Sequence, residues 1–172
     1  GTDKFGRDVF TRVLYGGRIS LFVGFISQSI ALLLGVPLGC LAGYFRGKTD
    51  AVVMWLINVF WSFPYLLLVL AMNIAMTHLI ESSIVRVFIA VGLVSWVLIA
   101  RIVRGQVLSI KENAYVEAAR AFGFSAPRIM IRHILPNIIT PIFVVVTLGF
   151  AEAIIAEAAL SFLGLGVQPP TP

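Results

Sequence analysis

Two stretches of this chain, Leu21 to Phe45 and Ala51 to Thr77, contain no charged residue at all. A helix needs about 20 apolar residues to cross the hydrocarbon core of a bilayer, so each run is long enough to cross once. A soluble domain carries about a quarter of its residues as Asp, Glu, Lys and Arg; here the share is 12%, against 59% hydrophobic. The chain is therefore read as an integral membrane protein. Backbone groups in lipid must be satisfied within their own segment, and no period-2 alternation runs through these stretches, so the spans are expected to be helices and not barrel strands.

Two further spans complete an all-α transmembrane bundle of four. Ile84 to Val103 qualifies if Arg86 and Arg101 reach toward the two interfaces. The last runs from about Thr140 to Leu160, with Thr140-Pro141 read as an N-cap followed by proline at the first helical position. The single cysteine, Cys40, lies inside an apolar run and is read as a small packing residue. Lys and Arg gather on cytoplasmic loops. Arg46, Lys48, Arg101, Arg104, Lys111, Arg120, Arg128 and Arg132 fall in the two longer polar connections, against Lys4, Arg7, Arg12 and Arg18 at the start. That asymmetry places the loop after the third span in the cytoplasm. It also accounts for the net charge of +5 as topology and attraction to anionic lipid, with no need for nucleic acid. Residues 1–172 form one transmembrane domain, expected to be a fragment because it opens on Gly1 and stops at Gln168-Pro169-Pro170-Thr171-Pro172. No secretory signal pattern opens it.

The polar connection at residues 109–136 carries the most information. Ser109-Ile110-Lys111-Glu112 fits a capping box that would start a helix. Tyr115, Ala118, Ala119 and Phe122 are spaced to share one face, while Glu117 and Arg120 are spaced i, i+3 for a weak ion pair. Gly123 is placed to end the helix in a left-handed cap. Ser125 then caps a second helix with Pro127 in its first turn, and Pro136 closes it. A short helix pair standing in water needs a partner to cover its apolar face. Periodicity alone is equally compatible with a solvated loop. A DNA-reading helix-turn-helix is disfavoured because membrane spans tied to both ends keep it from following a major groove.

The motif Glu117-Ala118-Ala119, three residues, Gly123, then Leu135-Pro136 resembles the cytoplasmic coupling loop (EAA motif) of ATP-binding cassette importer permeases. His133 departs from the general pattern, yet Arg132-His133-Ile134-Leu135-Pro136-Asn137 is similar to the branch that handles dipeptides, oligopeptides and nickel. Gly1-Thr2-Asp3-Lys4-Phe5-Gly6-Arg7-Asp8, Arg18-Ile19-Ser20-Leu21 and Ala159-Leu160-Ser161-Phe162-Leu163-Gly164-Leu165-Gly166 resemble that branch too. The resemblance implies the type I importer fold, a position in the bacterial inner membrane, and a chain lacking the first and last spans of its full subunit. It further implies two ATP-binding subunits, which would hold the ATP and Mg, a second related permease subunit and an extracytoplasmic substrate-binding protein. No cofactor is expected in this chain. Tyr115, Glu117, Ala118, Ala119, Arg120, Phe122, Gly123, Leu135 and Pro136 would dock the ATPase.

Ala42-Gly43-Tyr44-Phe45-Arg46-Gly47-Lys48-Thr49 satisfies a relaxed phosphate-loop pattern. That chemistry needs a strand before the loop and a helix after it, whereas a membrane helix precedes it here, so Arg46 and Lys48 are read as cytoplasmic anchors. Gly35, Gly39 and Gly43 repeat every four residues and line one helix face, where a neighbouring backbone can come close. Pro64 is expected to kink the second span and, with Trp61 and Glu152, is a candidate for the translocation path. Glu152 and Glu157 point about 140° apart on a helix, so they form no paired acidic site; Glu157 is expected near the outer, hydrated interface. His78 and His133 lie in different connections, and His133 is read as making loop hydrogen bonds, with no metal or hydrolytic centre. The rival readings are a secondary transporter or channel using Glu152 and Glu157, and a membrane-bound docking protein.

Overall fold

The computed structural model describes residues 1–2, 6 and 8–166. Asp3, Lys4, Phe5 and Arg7 of the opening motif, and the closing Gln168 to Pro172, lie outside the described residues. Helix α1 (Val9–Phe45) is followed by α2 (Gly47–Trp61), α3 (Tyr65–Ala75), α4 (Ser83–Ile110), the short α5 (Ala114–Ala121) and α6 (Ala126–Ile129), a π segment (Met130–Ile134), a 3-10 segment (Leu135–Ile138) and α7 (Ile139–Phe162). Asp8 caps α1, its carboxylate accepting the Phe10 and Thr11 amides at 3.3 Å each. At 1.5 Å per residue, 37 residues extend about 55 Å, so α1 begins well before the uncharged run.

The glycine repeat forms a seam between α1 and α4. A Cβ on Gly35 would stand 2.8 Å from Ile99 Cβ, on Gly39 2.5 Å from the Ala100 carbonyl oxygen, and on Gly43 2.7 Å from Val107 Cβ. From the other side Gly92 admits Ile30 at 2.7 Å. Residue numbers rise together across this seam, so α1 and α4 run parallel. A parallel pair obliges the chain between them to return to the starting side, and α2 with α3 makes that crossing in two pieces bent by 93°.

Pro64 does more than kink the second run. Helix α2 ends at Trp61, and Pro64 stands at the N-cap of α3 with φ −57° and ψ 130°. Its ring clashes with the carbonyl four residues back and it has no N–H to donate, while the residue before it is steered away from helix. Ser62 Oγ donates to the Asn58 carbonyl at 2.8 Å, which also accepts the Ser62 amide at 3.0 Å.

Helix α7 runs antiparallel to α1: Gly24 packs on Phe150, Gln28 on Gly149, and Ser20 donates to Glu157 at 3.4 Å. The result is three helices long and apolar enough to cross a membrane, and a fourth crossing where the bent α2–α3 pair counts as one, with both long polar connections at one end. Two expectations about the last crossing change. Thr140 does not cap it, because helical backbone is continuous from Ala126 through Phe162 and Pro141 lies in the first turn of α7. Pro136 does not close the preceding helix either; the backbone widens to a π turn and then tightens to a 3-10 turn. The wider turn relieves the proline's conflict with the preceding carbonyls. Asn137 Nδ2 donates to the His133 carbonyl at 2.7 Å.

The third crossing is longer than expected and runs to Ile110. Arg86 reaches back to the Ile80 and Glu81 carbonyls at 2.6 and 2.9 Å, at the expected end. The Arg101 guanidinium lies over the Trp61 ring, 4.2 Å from the centroid. Cys40 is buried in the α1–α4 core.

Gly39→Leu is expected to wedge the seam and cost about 1–3 kcal/mol, read as a lower unfolding midpoint of the purified protein. Gly105→Ala, where nothing lies within 4 Å, should hold or raise that midpoint.

Candidate functional site

The loop helix starts later than the capping box implies. Ser109 belongs to α4, and the N-cap of α5 is Asn113, whose carbonyl accepts the Val116 and Glu117 amides at 2.9 and 3.2 Å. Glu112 instead meets Arg46 at 2.7 Å. Both side chains are largely exposed, which limits that pair to under about 1 kcal/mol.

Helix α5 presents a sharply divided surface. Val116 and Ala119 are buried in the cluster that contains Val107, Ile129 and Ile134. Tyr115, Glu117, Ala118 and Phe122 are exposed, Phe122 by 81%. Ala119 therefore faces its own chain and does not share the outward face of Tyr115, Ala118 and Phe122. The helix ends in a Schellman motif: Phe124 N–H donates to the Ala119 carbonyl at 3.2 Å and Gly123 N–H to the Arg120 carbonyl at 2.9 Å. Gly123 has φ +78°, the left-handed conformation expected of it. Ser125 occupies the N-cap of α6 without donating or accepting a side-chain capping bond. Leu135 is half-buried and Pro136 exposed. His133 does not hydrogen-bond through its ring; it stacks on Phe124 with centroids 5.9 Å apart, its Nε2 buried and unpartnered.

Arg120 is not paired with Glu117. Its guanidinium sits 5.7 Å from the ring centroid of Tyr44, and the Lys111 ammonium lies 5.3 Å from the same ring. Lys111 also donates to the Tyr44 carbonyl, one of the last acceptors of α1. Partial burial, then the neighbouring Arg46 and Arg120, lower the Lys111 pKa. Beside this, Arg104 grips Asp50 with both arms of its guanidinium, Nη2 to Oδ2 at 2.6 Å. Loop helix, α1, α2 and α4 are thus tied together at one end. Within the phosphate-like stretch, Ala42 to Phe45 close α1 and Gly47 to Thr49 open α2, which is helix before and after with no strand to aim amides at a phosphate.

Further into the bundle, a cavity of about 410 Å³ opens beside the α2–α3 break. Trp61 and Glu152, both proposed from sequence, line it together with Gln28, Tyr65 and Ser95; Phe63 and Tyr65, on either side of Pro64, also contribute. Glu157 is not at a hydrated interface. It is 7% exposed and accepts from Ser161 Oγ at 2.7 Å and from Ser20 Oγ at 3.4 Å, so two hydroxyls replace the water it loses.

Sequence reasoning missed Tyr44, Asp50 and Gln28. Gln28 interrupts an otherwise apolar run, a signal that counting formal charges passes over. Asp50 could have been found as the one acid beside a cluster of bases. For Tyr44 there was no local signal, since its role depends on the parallel packing of α1 and α4.

The arrangement defines a polytopic helical membrane protein with a helix pair projecting from one end of its bundle. Residues 35–172 match the sequence profile described as binding-protein-dependent transport system inner membrane component, and the chain belongs to that family. It is 43% identical over its whole length to the dipeptide transport system permease protein DppC of Alkalihalophilus pseudofirmus, covering 55% of that protein. It is 46% identical to DppC of Bacillus subtilis over 99% of the chain and 52% of the relative. Against the glutathione transport system permease protein GsiD of Pectobacterium atrosepticum it is 41% identical over 100% of the chain and 56% of the relative. The chain thus spans about half the length of these curated relatives. The fold is also that of a chain in an inward-facing structure of the MetNI methionine ABC transporter, with TM-score 0.82, 22% identity, and coverage of 91% of this chain and 76% of that one.

Tyr44→Ala is expected to release α5, raising amide hydrogen exchange across residues 114–124 about tenfold or more. Tyr44→Phe, which keeps the ring and the carbonyl, should exchange like the wild type.

Proposed function

We propose that this chain is part of a permease subunit in an ATP-driven peptide importer, and that α5 and α6 take up force from a separate ATPase. The observation that carries this reading is the outward face of α5. Tyr115, Glu117, Ala118 and Phe122 stand exposed while the opposite face is locked to the bundle through Val116, Ala119 and the Arg120–Tyr44 contact. A helix bound on one side and bare on the other suits a groove in another protein.

Nucleotide closing two ATPase subunits would push on this helix. Tyr44 would pass the displacement to α1, and Asp50–Arg104 would carry it to α2 and α4. The α1–α4 seam is too tight to deform gradually, so the helices would move as one body and reshape the cavity beside Trp61, Pro64 and Glu152. ATP and Mg belong to the partner subunits in this scheme, and the chain itself hydrolyses nothing. A second permease subunit and an extracytoplasmic binding protein complete it. The names of the relatives above support peptides as cargo; nickel has no such support from them.

Gly123→Val in the full-length subunit forces a β-branched residue into φ > 0. The ATPase is expected to stop co-purifying while membrane insertion stays normal, and retained co-purification would count against docking here. Lys48→Ala should leave ATP turnover by the assembled complex within about twofold of the wild type.

A further inference from the structure

We infer that the cavity beside the α2–α3 break is a binding site for the amino end of a peptide-like compound, a primary ammonium held by Glu152 with its neighbouring carbonyl on Gln28. The inference rests on the importer reading and adds a site to it.

Two observations converge. The first is Gln28, a lining residue of the cavity that is 3% exposed and whose Nε2 is buried without a hydrogen-bond partner. A buried amide donor left unpaired costs about 1–3 kcal/mol, and a turn of this amide toward the cavity would let an arriving acceptor remove that cost. The second is Glu152, the only ionisable acid or base among the lining residues other than the Tyr65 phenol. Unlike the buried Glu157, which two hydroxyls satisfy, Glu152 is exposed at the mouth of the cavity and has no hydrogen bond or ion pair among the described residues.

The two groups are close enough for one ligand. The Gln28 amide packs on Gly149, with its Oε1 2.8 Å from where a Cβ would be. Gly149 precedes Glu152 by three residues, about 4.5 Å of helix. One residue of peptide spans about 3.8 Å between Cα atoms, so an ammonium on Glu152 leaves the following carbonyl near Gln28. Gly149 leaves that amide room, and Phe60 and Phe63 supply aromatic rings that attract a cation, the Trp61 ring being already covered by Arg101. Ser95 and Tyr65, 3.4 Å apart, add hydroxyls on the opposite wall. A transition metal fits poorly, because no imidazole or thiolate lines the cavity.

The test uses the full transporter in nanodiscs without its binding protein, so that selection by that protein does not enter. Saturation-transfer NMR is recorded with dialanine and with N-acetyl-dialanine. Dialanine should bind, and the acetylated compound should bind about tenfold more weakly. Glu152→Gln, which keeps the shape, should lose the preference for the free amine. Gln28→Met should weaken both compounds alike. Equal binding of the two compounds to the wild type, or an unchanged preference in Glu152→Gln, would overturn the site. ATP-driven peptide uptake by the same wild-type transporter reconstituted into sealed vesicles, with its binding protein restored, is scored separately. Uptake without the predicted preference rejects this site alone, whereas absence of uptake rejects the importer reading.

Discussion

Close approach of α1 to α4 is the constraint from which the rest of the structure follows. Three glycines one turn apart let two backbones meet where side chains would hold them several ångströms further apart. In lipid, where apolar tails compete equally for contact, such packing is what joins helices. Because the two helices run parallel, their carboxy-terminal ends arrive together. That coincidence places Tyr44, Arg46 and Asp50 beside Arg104, Lys111 and Glu112.

The same alignment explains why the intervening segment is broken. It must recross the bundle from the end of α1 to the start of α4, and Pro64 lets it do so around a bend instead of lying flat on the seam. The cavity occupies the angle that the bend leaves. The polar end and the hollow interior are therefore two outcomes of one packing decision, joined by helices that cannot slide past each other.

Much of this was legible in the residues. Runs free of charge gave the crossings, the four-residue glycine repeat gave the seam, and the Glu-Ala-Ala to Gly123 spacing gave the helix and its left-handed end. Boundaries were less legible, since Pro136 read as a stop and Pro141 as a start, while the backbone stays helical through both by changing helix type. Partners were least legible. Arg120 and Glu117 have suitable local spacing, yet Arg120 turns to an aromatic ring brought in from 76 positions away in the sequence, and a cation between a weak exposed pair and a ring face will take the face if packing supplies it. Glu157 likewise reads as a charge in need of water until Ser20 arrives from α1.

The interruption at Ser62 to Pro64 has an effect beyond geometry. Main-chain polar groups left without a helical partner at bilayer depth survive only against protein or solvent, and at this break the Asn58, Val59 and Phe60 carbonyls keep amide donors from Ser62 and Phe63. The groups freed beyond them must meet polar side chains or water, so the proline that divides the second crossing forbids a lipid-facing angle there whether or not cargo is present.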